Sequence, residues 1–292
     1  MKYLAVVIVG FVLCGAALAQ PLPDDAATAD ELALPAVPST LTTPAHRAAF
    51  IIEHFWDNLD FATDSRANDA AFVEQTFVNF LSVFPYADTT AQRTAVNTLM
   101  HSAEANPSAF RTLTDLADKY LYEYESPMAD DALYAMFAEN VLSSAALDDA
   151  HKIRPRAHLD AALKNRPGTL AADFAFTDRD GRDMTLYAID APGDILLIFY
   201  DPDCDHCRET MDRLQADTDI AAKIAAHSLT VVAIYSGDEH DLWYQRAQTI
   251  PANWIVGYDD GTLQEDGRYV IRNLPTLYRL SSDKKVIEKE IR

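Results

Sequence analysis

The chain has 292 residues, is 49% hydrophobic, and sets 45 Asp and Glu against 24 Lys and Arg for a formal net charge of −21. That length accommodates two domains of ordinary size, each able to bury a core of its own. The acidity is spread along the chain rather than gathered into a tail, and it argues against nucleic acid or an anionic membrane surface as a partner.

At the N-terminus, Lys2 precedes the apolar run Tyr3 to Leu18, and Ala17-Leu18-Ala19 places small residues where a signal is cleaved. Residues 1–19 therefore read as an export signal, with the mature chain predicted to begin at Gln20 in the periplasm or outside the cell. Two other readings stand beside it. An uncleaved anchor would need about 20 apolar residues, more than the run supplies, and a lipoprotein held through Cys14 would place the bulky Leu13 where cleavage favours a small residue.

If the signal is removed, Cys14 goes with it, and Cys204 and Cys207 are the cysteines left. A pair at that spacing closes too small a loop to restrict the unfolded chain much, so catalysis or metal binding explains it better than a structural crosslink.

Residues 20–42 are rich in Pro, Ala, Asp and Thr without apolar periodicity and are predicted to form a flexible linker. From 43 to 164 the pattern is helical. Ala48, Ile51, Ile52, Phe55 and Leu59 recur at three- and four-residue steps, as do Phe72, Phe77, Phe80, Leu81 and Phe84. Further helices are predicted over 89–104, 107–124, 128–146 and 148–163, making an all-α domain. Trp56, Tyr120, Tyr122 and Tyr124 at this spacing read as core rather than as a binding groove. His46, His54, His101, His151 and His158 lack a compact ligand spacing, so no metal is assigned.

Past Arg166-Pro167-Gly168 the character changes, and residues 165–292 are predicted to be a separate α/β domain. Strands are expected at 174–177 and 184–188, followed by the buried strand Ile195 to Tyr200 and a helix opening at Cys204. A second buried strand, Leu229 to Tyr235, precedes a helix over 239–248 and a short helical piece near 262–269. Strands at 275–281 and 285–291 close the order as a hairpin.

Cys204-Asp205-His206-Cys207 thus sits where an apolar strand runs into a helix. Unpaired backbone N–H groups and the helix dipole at that end favour a thiolate, the form that attacks a disulfide, and a second sulfur one turn inward can resolve the mixed disulfide. Far along the chain, Leu274-Pro275-Thr276 enters a strand behind the polar Asn273, as a cis proline beside the cysteine pair would.

The strand, Cys-x-x-Cys and helix, with the distant Leu-Pro-Thr and the terminal hairpin, resemble the thioredoxin superfamily over residues 168–292. The added N-terminal strands and the export signal resemble its extracytoplasmic, TlpA/ResA-like thiol–disulfide oxidoreductases. His54-Phe55-Trp56-Asp57-Asn58 followed by Asp60-Phe61 resembles a helical domain of unknown function that precedes such domains in Gram-negative bacteria. The resemblance implies a mixed sheet flanked by helices, Cys204 as nucleophile, Cys207 as resolving thiol, and Pro275 as a cis proline whose neighbour Leu274, with Thr276, lines the substrate strand. It implies no cofactor, and as partners protein thiols or disulfides and a redox partner protein, with a homodimer or a further partner docking through the helical domain.

The sequence departs from that family in places. Asp203 stands where a tryptophan is usual, Ile198 replaces a buried acid, and related reductases place a glutamate where this chain has Thr210, so Glu209, one residue earlier, reads as solvated rather than as a proton acceptor for Cys207. The sequence ends after the last strand, without the final helix, so another element is expected to cover one sheet face. His206 pulls the redox balance towards an oxidase while Asp201, Asp203 and Asp205 push the other way, and on the resemblance a reductase is favoured. Two other classes remain: a redox-inert binding or scaffold protein on the same fold, and a Cu(I) module using both thiolates with His206 or His240.

Overall fold

The computed structural model of the protein describes residues 31–291, so the predicted export signal and the first part of the predicted linker lie outside the described residues. The helical half comprises α1 (Pro44–Glu53), α2 (Ala70–Leu81), α3 (Thr89–Ala103), α4 (Pro107–Ala117), α5 (Asp131–Ser143) and α6 (Asp149–Ala162). Thr43, Asp69, Asp88, Asn106, Asp130 and Asp148 cap these six helices, each side chain accepting from first-turn backbone N–H groups. Four of the chain's acidic residues are thus spent on orphan helix donors.

Phe77, Phe80, Phe110 and Phe137 lie fully buried at the centre of this half, and Trp56, Leu59 and Phe61 join the same cluster. Tyr120 and Tyr122 pack against it only partly buried. The helix predicted over 107–124 does not run through: α4 gives way to a π-helical turn at Asp118–Tyr122, closed by Glu123 N–H to Asp118 O at 3.0 Å. The predicted linker is likewise anchored in its described part. Leu32 is buried in the helical core and the Ala33 carbonyl accepts from Asn58 Nδ2 at 2.8 Å, because Leu32-Ala33-Leu34 supplies apolar surface that the surrounding polar composition obscured.

The second half is built on one seven-stranded sheet. Its strands are β1 (Ala175–Asp178), β2 (Asp183–Thr185), β3 (Asp194–Phe199), β4 (Leu229–Ser236), β5 (Ile255–Asp259), β6 (Thr276–Leu280) and β7 (Val286–Lys289), in the order β2-β1-β5-β4-β3-β6-β7. The strands β3, β4 and β5 are mutually parallel and the other pairings antiparallel. Helices α7 (Asp205–Ala216), α8 (Thr218–Ala225), α9 (His240–Ala247) and α10 (Thr262–Glu265) connect them.

Successive residues of a strand face opposite sides, and here both sides are buried. Ile195, Leu197 and Phe199 join one cluster with Tyr269 and Tyr278, while Leu196, Ile198 and Tyr200 join another with Cys207, Met211 and Trp243. This is why β3 and β4 read as unbroken apolar runs.

The structure corrects the sequence reading at β5 and α8, neither of which was predicted. Gly257 interrupts β5, and it must be glycine because a Cβ there would lie 2.3 Å from Phe176 Cδ2 and 2.7 Å from Ile234 Cδ1. A strand whose centre is a packing hollow shows little β propensity. Gly257→Ala is expected to destabilise the protein by about 1–3 kcal/mol, as overpacked cores do, read as a lower denaturant midpoint at unchanged slope.

A further correction concerns the face expected to need a cover. Among the described residues no helix follows β7, and the helical half meets the opposite side of β7, where Lys289 Nζ reaches Asp131 at 2.6 Å. On the side that carries α7, the outer strands present the half-exposed pair Arg279 and Glu288, 3.9 Å apart. Polar residues there leave that edge no large apolar surface to hide.

Candidate active site

Strand β3 delivers the chain to the site at its C-terminal end. Asp201 then folds the loop: its Oδ1 accepts from Asp203 N–H at 2.8 Å and its carbonyl from Cys204 N–H at 3.2 Å. Cys204 caps α7 from extended backbone, and its Sγ accepts from the N–H of Cys207 at 3.2 Å. A sulfur therefore stands where Ser or Asp caps most helices, facing the N–H donors of the first turn.

The second component arrives through register. Phe199 pairs with Thr276 across the antiparallel β3 and β6, so the residues just before β6 lie beside those just after β3. The Leu274–Pro275 peptide is cis, and the carbonyl oxygen of Leu274 lies 4.0 Å from Cys204 Sγ. The sheet thus brings together residues 70 positions apart in sequence.

The two sulfurs differ in surroundings. Both are free thiols; Cys204 is partly exposed, whereas Cys207 is 1% exposed among Tyr200, Met211 and Trp243. Burial, first, and the hydrogen bond with Cys204, second, push the Cys207 thiol up to about 12. Cys207 consequently keeps its proton at neutral pH while Cys204 sits at the opening. In a Cys204→Ser chain, absorbance at the thiolate band is expected to show no titration step below about pH 10, well above the ordinary thiol value near 8.5; a step in the ordinary range would contradict this burial.

Asp203, Asp205 and His206, expected to tune the thiols, are all exposed, and Asp205 is paired with Arg208. Leu274 is half-buried and packs against both sheet-face clusters, Pro275 is buried, and Thr276 is buried with its hydroxyl donating to the Asn273 carbonyl. Glu209 is exposed and Ile198 fully buried beneath the site. His240 packs edge-on to Tyr258 at 4.8 Å, and among the described residues no three His, Cys, Asp or Glu side chains converge as a metal-binding group.

Sequence reasoning missed two contributors. Tyr200, read only as the end of a strand, is buried beside Cys207 with its ring 6.5 Å from that of Tyr235. Arg272, two residues before Leu274, is 11% exposed and held by Asp131 of the helical half at 2.7 Å. A contact across 141 positions leaves no local pattern to read.

Residues 14–165 match the family described as a domain of unknown function, DUF5106. Over 89% of this chain and 94% of the other, the fold is similar to the crystal structure of a thioredoxin-like protein from Bacteroides caccae, at 33% identity and a TM-score of 0.83. The C-terminal domain of an uncharacterized protein from Bacteroides fragilis is 34% identical over 44% of this chain and 93% of that one, with a TM-score of 0.43. No curated protein matches the sequence.

Proposed function

The chain belongs to the thioredoxin-like family in which a DUF5106 domain precedes the thioredoxin fold, and from that premise we propose that it exchanges a Cys204–Cys207 dithiol for the disulfides of protein substrates. One observation carries the reading: a partly exposed sulfur caps a helix against the Leu274 carbonyl, with a buried, protonated second sulfur one turn behind it.

In the reaction, the Cys204 thiolate attacks one sulfur of the substrate disulfide. A bond forms between Cys204 and that sulfur, the substrate bond breaks, and the other substrate sulfur leaves as a thiolate. Cys207 then gives up its proton, which the second departing sulfur takes, and bonds to Cys204 as the mixed disulfide breaks. Two electrons pass from the dithiol to the substrate, and a reducing protein partner restores the dithiol. Leu274 and Thr276, flanking Pro275, offer backbone groups to an extended substrate strand, while Asp203, Asp205 and His206 form the exposed rim.

The direction we assign is reduction. The resemblance of the strand, Cys-x-x-Cys and helix to the extracytoplasmic TlpA/ResA-like oxidoreductases supports that direction. The assignment includes export through residues 1–19, a helical domain over 43–164 and a redox domain over 165–292, with the activity outside the cytoplasm. No helix among the described residues is long and apolar enough to cross a membrane.

Cys207→Ser tests the roles. With the resolving sulfur gone, the chain is expected to accumulate a covalent adduct with a disulfide-containing peptide, visible as a mass increase that dithiothreitol removes. Adduct formation by Cys204→Ser instead would reverse the assignment, and adducts from neither chain would favour the redox-inert scaffold.

A further inference from the structure

The segment that faces Cys204 has little backbone support. Among the described residues, 268–275 make no backbone-to-backbone hydrogen bond outside helices and strands. Side chains hold it instead. Tyr269 is buried and its hydroxyl donates to the Ala172 carbonyl at 2.8 Å, and Asn165 Nδ2 donates to the Arg268 carbonyl at 2.9 Å. Nearest the site, Arg272 reaches away from the sheet into the helical half.

There its guanidinium meets a built receptor. One nitrogen donates to Asp131 Oδ1 at 2.7 Å, another to the Tyr122 carbonyl at 2.9 Å, and the group lies 4.0 Å from the centroid of the Tyr122 ring. Glu290 adds an oxygen at 3.6 Å. Behind Tyr122 the receptor is braced. Its ring stacks on His158 at 3.9 Å and 10°, His158 Nδ1 hydrogen-bonds Asp118 at 2.9 Å, and Asp118 accepts from Tyr134 Oη at 2.7 Å and pairs with Arg154 at 2.7 Å. Lys289 Nζ fixes the other oxygen of Asp131 at 2.6 Å.

The π-helical turn has a purpose in this arrangement. A widened turn at Asp118–Tyr122 ends α4 with the Tyr122 carbonyl and ring both available to one guanidinium, an irregularity of the kind that recurs at functional sites. Arg suits the receptor because its planar fork satisfies a carboxylate and a carbonyl while its face stacks on an aromatic ring.

We propose that the helical domain sets the substrate-binding edge of the redox site through Arg272, a positioning residue that holds the Arg272–Pro275 segment against Cys204. The inference rests on the exchange reaction proposed above and assigns the DUF5106 half a part in it. Substrates that pair with the backbone at Leu274 need that edge in place before attack. A small alkylating reagent needs only the Cys204 sulfur.

The test compares two reagents on the full chain, Arg272→Met and Arg272→Lys. With a peptide disulfide, Arg272→Met is expected to react about 10- to 100-fold more slowly, the scale of loss when a reacting pair is misplaced by about an ångström, and Arg272→Lys to recover part of the rate. With iodoacetamide, both variants are expected to stay within about twofold of the parent, since Cys204 itself is untouched. Peptide rates within about twofold of the parent in both variants would overturn the positioning role, as would equal losses towards both reagents, which mark general unfolding. A parent chain that alkylates but never reacts with the peptide would overturn the exchange reaction itself, and the inference with it.

Discussion

Replacing Cys204 with serine is expected to lower the rate of disulfide exchange by at least about 10³-fold, the scale on which loss of a covalent nucleophile is felt. Cys204 holds the partly exposed sulfur at the helix opening, with the Cys207 N–H directed at it and the Leu274 carbonyl on its far side. A serine hydroxyl occupies the same cap and accepts the same N–H, so α7 keeps its start. The loss therefore reads chemistry rather than folding. Cys207 cannot substitute, because it is 1% exposed and its raised pKa leaves almost no thiolate at neutral pH. Exchange kinetics with a fluorescent peptide disulfide, alongside circular dichroism of both chains, check the expectation. A residual rate within tenfold of the parent in a folded chain would remove Cys204 from the mechanism.

The second large effect is on stability. Asp131→Ala is expected to destabilise the protein by about 3 kcal/mol, the lower end of the range for breaking a buried ion pair from one side. Asp131 serves two cations at once, Arg272 at 2.7 Å and Lys289 at 2.6 Å, and their side chains are only 11% and 6% exposed. Lys289 retains carbonyl contacts with Lys164 and Ala161 at 3.1 and 3.5 Å, and Arg272 retains Glu290 at 3.6 Å. Neither set replaces the lost charge of Asp131. Combining Asp131→Ala with Lys289→Met is expected to recover part of the loss, since the stranded ammonium is then gone as well. Urea denaturation of the full chain reads both numbers, and a double variant less stable than the single one would show that Lys289 contributes by packing rather than by charge.

The candidate site was legible in the sequence where it is local. Cys204 and Cys207 at the junction of an apolar strand and a helix pointed to the fold and to two neighbouring sulfurs, and Pro275 ahead of β6 to the cis peptide beside them. The strands β3 and β4 were legible because burial on both faces makes them unbroken apolar runs. What escaped lay in long-range packing. Gly257 weakens β5 on paper because the hollow it leaves is filled by Phe176 and Ile234 from neighbouring strands. Asp131, an acid in the first turn of a helix, and Arg272, ahead of β6, carry no local pattern that marks them. Only the docking of the two halves makes them a pair. The π-helical turn was equally hidden, since 107–124 carries a helical apolar pattern without a break.

The same physics accounts for the expectation about thiol tuning. Asp203, Asp205 and His206 are close to Cys204 in sequence, but all three stand in solvent, where charges act weakly. What shifts Cys207 is first burial among Tyr200, Met211 and Trp243, a property of the folded sheet face, and then its hydrogen bond with Cys204.

Thiol trapping of the full chain in graded glutathione buffers tests the reversible dithiol–disulfide couple most directly. The expected result is that Cys204 and Cys207 titrate together as one two-electron couple, with a potential below about −220 mV for the reducing direction. A pair that forms no disulfide across the whole range of buffers, while both thiols alkylate after denaturation, would contradict the account.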